Sequence, residues 1–229
     1  MVIKAWYEAL VHVFYPSLCY GCNNELIQGD QYICLQCQTE MGRTYFESIR
    51  DNPVEKLFWG RADIQCAAST FYYIDKTPLQ QIVHHIKYRQ EKELGIHMGE
   101  IMGIHGSGLF TECKTDLCIP MPLHPKKEYK RGYNQASLLC EGIFKQTGIP
   151  YNEKALVRNE NTRTQTKKSR IERWENVASV FEVNEPSIFK DKHVVVVDDV
   201  ITTGASTEAC VNMLMQHGAK SAGIYSLAF

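Results

Sequence analysis

One stretch decides the fold of this chain: Val194-Val-Val-Val-Asp198-Asp199-Val-Ile-Thr202-Thr203-Gly204-Ala-Ser206. Its four consecutive valines predict a strand in the buried middle of a parallel sheet, and two carboxylates end that strand. A turn of hydroxyl-bearing residues and glycine follows, and residues 207–216 then have the composition of a helix. In an open α/β sheet, ligands bind beyond the carboxyl ends of the strands. The stretch therefore predicts an α/β fold and a ligand site at its own turn.

The chemistry of this turn indicates the class of ligand. Backbone N–H groups at a helix N-terminus attract phosphate. Asp198 and Asp199 would repel a bare phosphate, so they suit hydroxyl groups or a hydrated Mg²⁺ instead. A ligand with cis-hydroxyls, a phosphate and magnesium meets all of these demands, and phosphoribosyl pyrophosphate (PRPP) is such a ligand. The alternative is a hydrophobic strand that ends in a polar turn, as in any α/β protein.

The same thirteen residues resemble the PRPP-binding signature of type I phosphoribosyltransferases over their whole length. In that family the two acids bind the ribose 2′ and 3′ hydroxyls, and the Thr-Thr-Gly turn holds the 5′-phosphate. The resemblance therefore implies a fold with a type I phosphoribosyltransferase-like parallel sheet. It also implies a PRPP site made of Asp198, Asp199, Val200, Thr202, Thr203, Gly204, Ala205, Ser206 and Thr207.

The composition is ordinary for a soluble globular protein. The chain has 229 residues, of which 44% are hydrophobic and 22% charged, with a formal net charge of −1. This charge argues against a wholly basic nucleic-acid binder but leaves room for a local basic patch. The N-terminal apolar residues are interrupted by Lys4, Glu8 and His12, and no signal-peptide cleavage site follows. Since no apolar run reaches the ~20 residues of a membrane span, we expect a cytoplasmic protein without one.

Two Cys-x-x-Cys pairs predict a metal site near the N-terminus. They are Cys19-Tyr-Gly-Cys22 and Cys34-Leu-Gln-Cys37, with eleven residues between them. Four thiolates at this spacing complete a closed, structural Zn²⁺ site, and a segment this short needs the metal to fold. The alternative, a thioredoxin-like redox pair, needs one such pair beside a βαβ unit. Residues 25–33 are expected to form a hairpin, and Gly21 to adopt a left-handed turn.

Strand-like and helix-like segments alternate after the cysteine pairs. This alternation predicts a parallel, doubly wound sheet. The expected strands cover residues 67–74, 117–122, 177–183, 194–197 and 221–228. The expected helices cover residues 79–89, 92–104, 135–146 and 207–216. Residues 106–108 and 124–132 are expected to be loops.

The predicted organisation has two parts. A short amphipathic helix over residues 6–14 and a Cys₄ zinc-ribbon module occupy residues 1–60. A phosphoribosyltransferase-like, PRPP-binding domain occupies residues 61–229. The five remaining cysteines have apolar neighbours and are expected to be small, reduced core residues: Cys66, Cys113, Cys118, Cys140 and Cys210.

Two basic segments are candidates for contact with the pyrophosphate of PRPP. The first, residues 126–131, directly follows a predicted strand and carries Lys126 and Lys127. Type I phosphoribosyltransferases have a pyrophosphate-binding loop after an equivalent strand, so the resemblance implies this role near residues 123–127. The second, residues 158–173, carries Arg163 and suits a loop that closes over a reacting sugar cation. These three cations are the candidate catalytic residues. The alternative for both segments is a solvated basic surface, and such a face could also follow a nucleic-acid backbone.

Taken together, these features resemble the ComF family of competence-associated proteins, which join a Cys₄ zinc module to a phosphoribosyltransferase-type domain. The resemblance covers nearly the whole chain, and Thr164 stands where a proline often precedes the glutamine. It includes Pro120-Met-Pro-Leu-His-Pro125, Arg131-Gly-Tyr-Asn-Gln135, Thr164-Gln165 and Arg173-Trp-Glu-Asn176-Val. Members are thought to handle incoming single-stranded DNA during natural transformation. The resemblance implies structural Zn²⁺, Mg²⁺ with PRPP, and single-stranded DNA and competence or recombination proteins as partners.

The sequence is compatible with two functions. The first is a PRPP-binding, DNA-handling protein of the ComF type, with Tyr72, Tyr88, Tyr129 and Tyr133 as candidates for stacking on bases. The alternative is an active phosphoribosyltransferase that joins PRPP to an unidentified base or amine and releases pyrophosphate. The sequence stops at Phe229, directly after the last predicted strand. A hood over an acceptor base would then have to come from the N-terminal part, so we expect an unusual acceptor or none.

Overall fold

A four-stranded parallel sheet is the centre of the structure. The computed structural model describes residues 16–27, 29–158 and 181–229. The sheet has the strand order β1-β6-β5-β2, and every neighbouring pair is parallel. Its strands are β1 (Cys66–Phe71), β2 (Leu117–Pro120), β5 (His193–Val200) and β6 (Ser221–Ala228). A separate antiparallel pair is formed by β3 (Leu156–Arg158) and β4 (Phe181–Val183).

The helices of the described residues connect these strands. They are α1 (Leu35–Glu40), α2 (Pro53–Phe58), α3 (Pro78–Tyr88), α4 (Lys92–His105), α5 (Ser107–Glu112), α6 (Pro125–Arg131), α7 (Gln135–Thr147) and α8 (Ala205–Gln216). Two short 3₁₀ turns lie at Phe46–Ser48 and Pro186–Ile188. Within the described ranges, no helix is both long enough and apolar enough to cross a membrane. The expected α/β class with a parallel sheet is confirmed.

The valine run forms the buried centre of the sheet. Val194–Val197 are at most 1% exposed. They pair with Leu117–Pro120 of β2 on one side and with Ala222–Tyr225 of β6 on the other. A strand with neighbours on both sides and cover on both faces has a continuous apolar run. The four valines therefore indicate the central position of their own strand.

The carboxyl ends of the strands meet at one edge of the sheet. Val197 of β5 pairs with Pro120 at the end of β2, and Val200 pairs with Ala228 at the end of β6. β2 leads into α6, β5 leads into the turn before α8, and β1 leads into α3. These three connections therefore surround the acidic end of β5.

The basic segment after β2 is a helix, so the expected loop is wrong. α6 begins at Pro125, and the His124 side chain accepts a hydrogen bond from the Lys126 N–H at 3.2 Å. It ends before Gly132, which has a left-handed φ of 81°. Proline in the first turn and glycine just after the last turn are typical helix boundaries. Pro125 and Gly132 thus mark the ends of a helix, although the positive charge of the segment suggests a loop.

Two other segments also differ from expectation. α5 begins at Ser107, inside the predicted 106–108 loop, because the chain only bends at Gly106 between two helices. β3 lies in residues 156–158, which open a polar stretch of the sequence. Of the strand predicted over residues 177–183, the described part is Phe181–Val183. The helix predicted over residues 6–14 lies outside the described residues.

Cys66 and Cys113 form a disulfide, where the sequence predicts two separate reduced residues. Cys66 opens β1 and Cys113 follows α5, both are buried, and their Cα atoms are 6.5 Å apart. That separation lies within the range that a disulfide can span. Residues 47 positions apart meet here only through the tertiary fold. The expectation of free, buried thiols holds for Cys118, Cys140 and Cys210.

Candidate functional site

Two adjacent carboxylates end strand β5 and are held by the backbone that follows them. The Asp199 N–H donates to Asp198 Oδ1 at 2.8 Å, and the Val200 N–H donates to Asp199 Oδ1 at 2.7 Å. Both acids are partly buried at the carboxyl edge of the sheet. Each uses one oxygen for the backbone. The second oxygen of each carboxyl group is therefore left to accept from a side chain or from a ligand hydroxyl.

The two acids do not share the same electrostatic state. Burial of the carboxyl group and the neighbouring charge of Asp199 raise the pKa of Asp198 to about 8. The hydrogen bond from the Asp199 N–H and the charge of Lys87 act in the opposite direction. Closely spaced carboxylates in a poorly solvated place favour a single negative charge on the pair. The free protein therefore holds an acid pair that is destabilised by its own charge.

This charge predicts a pH dependence of stability. Asp198 keeps its proton in the native state up to about pH 8, whereas an unfolded Asp loses it near ~3.9. Because the native state binds more protons between those values, the free energy of unfolding falls as pH rises through this window. Asp198→Asn cannot titrate and should escape the loss. We expect the melting temperature of the wild type, relative to Asp198→Asn, to fall by at least ~3 °C between about pH 5 and pH 8.5. Parallel melting curves across that range would contradict the assignment.

Lys87 is the cation of this acid pair. Its Nζ lies 2.9 Å from Asp199 Oδ2, and the two side chains are 21% and 18% exposed. Lys87 lies in the last turn of α3, far from β5 in sequence. Sequence reasoning missed it, because a single lysine next to a buried helical face gives no sign of which distant group it will meet.

The turn between β5 and α8 is built around Gly204. Gly204 has a φ of 70° and precedes the first residue of α8, whose N-terminus has no side-chain cap. The first N–H groups of a helix have no partner within it, so those of residues 205–207 are available as donors. Thr202, Thr203 and Ser206 are exposed around them, and Thr207 is buried. Backbone donors, hydroxyls and a helix dipole together make an anion site.

Gly204 is required by space as well as by backbone angle. A Cβ atom on Gly204 would lie 2.9 Å from the ring of Phe58 in α2. Real Cβ atoms almost never approach so closely, and a left-handed φ adds strain for any L-residue of about 1–2 kcal/mol. The turn therefore rests directly on α2, a helix that the sequence does not connect with this site.

Gly204→Ala is expected to distort this turn. Ligand affinity should fall by at least ~10-fold, since ~1.4 kcal/mol of strain passed to the anion site has that effect. The measurement is a calorimetric titration with Mg²⁺ and PRPP, together with thermal unfolding. Gly218→Ala is a matched control, because Gly218 also has a left-handed φ but its nearest atom would lie 3.9 Å from the new Cβ. Equal affinities in the two variants would contradict the role given to Gly204.

Arg61 holds the same turn in place through hydrogen bonds. Its Nη1 donates to the carbonyl oxygen of Thr203 at 3.0 Å and to that of Leu57 at 3.1 Å. Its Nε and Nη2 donate to Glu208 Oε2 in the first turn of α8, at 3.0 and 2.7 Å. A planar guanidinium suits such a multiple contact. Arg61 thereby ties the turn, α2 and α8 together, although no local pattern in the sequence indicates this role.

The four cysteines of the two Cys-x-x-Cys pairs converge. The sulfur atoms of Cys19, Cys22, Cys34 and Cys37 all lie within 4.8 Å of one another, and those of Cys22 and Cys34 are 3.8 Å apart. Four thiolates around one Zn²⁺ with bonds of ~2.3 Å lie at similar separations. The four cysteines could therefore hold one tetrahedral metal ion. Among the described residues, they form the one group of three or more possible metal ligands that lie this close together.

Backbone donors prepare the cluster for a metal. The Sγ atom of Cys19 accepts hydrogen bonds from the N–H groups of Gly21 and Cys34, each at 3.3 Å. Burial alone would raise the pKa of the Cys19 thiol, but backbone N–H groups of Cys34, Cys22 and Gly21 lower it to about 7. Burial and the neighbouring thiols raise the pKa of Cys37. One thiolate is thus formed readily, and a bound cation would favour deprotonation of the others.

The local structure between the cysteine pairs differs from expectation. An isolated antiparallel bridge joins Leu18 and Glu25, and the described residues of 25–33 contain no strand, so the expected hairpin is wrong. The left-handed residue of the first knuckle is Asn23, with a φ of 60°, and not Gly21. Gly21 is needed for space instead, since a Cβ there would lie 2.8 Å from the sulfur of Cys37.

The cysteine module packs on α3. A Cβ on Gly21 would also lie 3.0 Å from Pro78, the first residue of that helix. Near the other end of α3, the ring of Tyr20 meets the ring of His85 edge-on at 5.1 Å. The Tyr20 hydroxyl donates to Glu91 Oε2 at 2.9 Å. The module therefore contacts both ends of the helix that carries Lys87.

Known proteins resemble the chain in both of these parts. The phosphoribosyl transferase domain model matches residues 148–229, which include the acid pair and the turn before α8. The DNA utilization protein YhgH of Salmonella typhi is 27% identical over 228 residues, covering 93% of this chain and 96% of that protein. Competence protein F of Haemophilus influenzae is 25% identical over 222 residues, covering 95% and 93%. Competence protein ComFC of Bacillus subtilis is 25% identical over 221 residues, covering 92% and 82%.

The chain is therefore similar to competence and DNA utilization proteins over nearly its whole length. This similarity includes the cysteine module as well as the residues that match the phosphoribosyl transferase domain model, since three relatives align over more than nine tenths of the chain. The alignment with the YhgH protein of Shigella flexneri is shorter and covers 66% of this chain and 66% of that protein. In that alignment the chain spans just under two thirds of the relative's length.

Two of the three basic residues predicted for this site lie on α6. Lys126 and Lys127 are exposed on α6, and neither forms an ion pair with Asp198 or Asp199 in the described structure. α6 nevertheless begins at the same edge of the sheet, because it follows β2. Arg163 lies outside the described residues. The catalytic role of the three cations stays a prediction.

Proposed function

We propose that this chain is a ComF-type protein that binds PRPP, together with Mg²⁺, at the turn between β5 and α8. The observation that carries the proposal is the juxtaposition of an acid pair with an uncapped helix N-terminus at the carboxyl end of a central parallel strand. Ligands of open α/β sheets bind at this edge. Calorimetric titration of the wild type and of acid-pair variants with Mg²⁺ and PRPP is the test.

Each part of the ligand has a counterpart in the turn. The ribose 2′ and 3′ hydroxyls donate to Asp198 and Asp199, whose outer oxygens face away from the backbone hydrogen bonds. The 5′-phosphate accepts from the first N–H groups of α8 and from the hydroxyls of Thr202, Thr203 and Ser206. Val200, Ala205 and the buried Thr207 complete the predicted set by shaping the strand end and the helix start. This assignment explains why acids and an anion site coexist within a few residues.

Mg²⁺ fits the donor set of the proposed complex. It prefers oxygen ligands, keeps several waters and is commonly held by one or two carboxylates together with substrate phosphates. The acid pair offers the carboxylates. When bound, the ion would neutralise charge on the pyrophosphate of PRPP.

Zn²⁺ is the proposed occupant of the cysteine cluster. Four thiolates without an open position are typical of structural zinc sites. The short described segment that carries them has few buried apolar residues of its own, so the metal would supply its stability. The proposed role of the ion is to hold the module against α3.

Handling of single-stranded DNA is the proposed cellular role. The relatives named above are a DNA utilization protein and competence proteins. A surface suited to this role lies on α6 and the end of α3: Tyr129 is 93% exposed, and the guanidinium of Arg131 lies 5.2 Å above the ring of Tyr88. Cations next to exposed aromatic rings bind single strands through phosphates and stacked bases.

Charge reversal on α6 tests this role. Lys126→Glu, Lys127→Glu and Lys130→Glu together should lower the affinity for a single-stranded oligonucleotide by at least ~10-fold at low salt. The slope of log affinity against log salt should also become shallower, by ~0.7 for each phosphate that the variant no longer neutralises. Fluorescence anisotropy over a salt series measures both quantities.

A matched variant separates a local effect from a change in net charge. Lys145, Lys154 and Lys220 are exposed outside α6, and reversing them changes the net charge by the same amount. Their reversal should leave the oligonucleotide affinity within ~3-fold of the wild type. If both triple variants bind equally, or if the wild type does not bind at low salt, α6 has no such role.

Phosphoribosyl transfer is the second candidate function. It is favoured by the side chains that support the proposed sugar-phosphate site, in which Lys87 pairs with Asp199 and Arg61 donates to the carbonyl oxygen of Thr203. Release of pyrophosphate from PRPP across a panel of bases and amines distinguishes the two candidates. A base-dependent release that disappears in Asp199→Asn would establish transfer, and its absence throughout the panel would leave PRPP as a bound ligand only.

A further inference from the structure

We propose that Lys87 is a PRPP-binding residue, whose ammonium group offsets the charge of the acid pair and lets a highly charged ligand approach it. The proposal rests on the PRPP site proposed above and adds a residue from another part of the chain. It concerns a lysine on α3, outside the signature stretch and outside the two basic segments. Its basis is the position of the Lys87 ammonium group, the way in which α3 is held, and the charge of the ligand.

The position of Lys87 singles it out among the cations of the described structure. Its Nζ lies 2.9 Å from Asp199 Oδ2. Among the described residues, Lys87 is the cation that forms a salt bridge with Asp198 or Asp199. An ammonium group has three donors, and one of them is used by Asp199. The others remain for a ligand at the same carboxylates. Both side chains are about one fifth exposed, so a ligand can reach them.

α3 is held in a way that keeps Lys87 at the site. Its apolar face, Leu79, Ile82, Val83 and Ile86, is at most 3% exposed. The cysteine module contacts α3 near both ends, through Pro78 and His85. The residue after Lys87, Tyr88, stacks against Arg131 of α6. A long side chain on a helix that is packed on several sides has less freedom to lose on binding. These contacts fix the helix that carries Lys87 next to the acid pair, which distinguishes Lys87 from a lysine on an open surface.

The charges of the ligand explain why such a cation is needed. PRPP carries a 5′-phosphate and a pyrophosphate, and both are repelled by the negative charge of the acid pair. The acids are needed for the ribose hydroxyls, so their charge must be offset by a nearby cation. The repulsion grows with the charge of the ligand. Loss of Lys87 should therefore weaken PRPP binding more than the binding of ribose 5-phosphate, which has the same hydroxyls and 5′-phosphate but no pyrophosphate.

The test is a calorimetric comparison of these two ligands. In Lys87→Met, the affinity for PRPP with Mg²⁺ should fall by at least ~10-fold, and that for ribose 5-phosphate by less than ~3-fold. Lys87→Arg should remain within ~3-fold of the wild type for both ligands, because it keeps the charge. Lys145→Met is the matched control: Lys145 forms a 3.4 Å ion pair with Glu141 on α7, and its loss should change neither affinity.

The outcomes separate the proposal from the PRPP site itself. If Lys87→Met binds PRPP as the wild type does, Lys87 has no role in binding. An equal loss for both ligands would reduce Lys87 to a residue that only positions Asp199, and would also overturn the proposal. If the wild type binds PRPP but Asp198→Asn with Asp199→Asn binds it equally well, the site proposed above is the part that fails. Should Lys87→Met melt at a lower temperature than the wild type, Lys87→Gln provides the same comparison with a side chain that keeps polar contacts.

Discussion

Replacement of both Asp198 and Asp199 by asparagine should lower the affinity for PRPP with Mg²⁺ by at least ~100-fold. Two hydroxyl-to-carboxylate hydrogen bonds are removed, and bonds to charged acceptors contribute ~1.5–3 kcal/mol each. Asparagine keeps an oxygen that can accept the backbone hydrogen bonds at 2.8 and 2.7 Å. The shape of the strand end should therefore persist, and the effect should come from the charge and the acceptors. Isothermal titration calorimetry gives the affinity.

The control for this experiment is stability. The double variant should melt at the same temperature as the wild type or higher, because the wild-type pair holds an acid whose pKa is raised by burial and by its neighbour. A variant that is well folded and has lost PRPP binding supports the site. A well-folded variant whose titration curve matches that of the wild type refutes it.

Replacement of Cys19 and Cys22 by serine should remove the bound metal and unfold the cysteine module. Structural zinc contributes ~10–16 kcal/mol of apparent binding free energy in small modules, far more than the packing of Tyr20 on His85 could restore. Metal analysis of the wild-type protein should find one equivalent of zinc, and the variant should contain almost none. The melting temperature should also fall, since the module no longer packs on Pro78 of α3 or bonds to Glu91, which follows that helix.

A conservative substitution tests whether the metal is the cause. Cys22→His keeps a zinc ligand, since three cysteines and one histidine form a common structural zinc site. It should retain most of the metal and of the thermal stability. A native wild-type protein free of zinc, or a Cys19→Ser, Cys22→Ser variant with unchanged stability, would contradict the account of the module.

The parts of the structure that the sequence predicts are those with a local physical cause. The valine run, the acids and the glycine turn lie next to one another in the chain. Their order therefore reveals a central strand, its carboxyl end and a helix start. The Cys-x-x-Cys spacing likewise indicates a cluster without any knowledge of the fold. The last strand, 221–228, coincides with the observed one.

The parts that escape prediction depend on contacts between distant segments. Lys87 and Arg61 each lie in or beside a helix of ordinary composition, and only the tertiary fold brings them to the acid pair and the turn. The Cys66–Cys113 disulfide is of the same kind. The helix α6 is a different case, because Pro125 and Gly132 mark its ends. There the run of positive charge suggests a loop, but the local signals of the two boundary residues prevail.

The most direct measurement is a crystal structure of the protein with PRPP and Mg²⁺. The 5′-phosphate should lie within ~3.2 Å of the first N–H groups of α8. The ribose hydroxyls should contact Asp198 and Asp199, with the ammonium of Lys87 beside the ligand. Density for PRPP at any other edge of the sheet, or a ribose turned away from the two acids, would contradict the central claim.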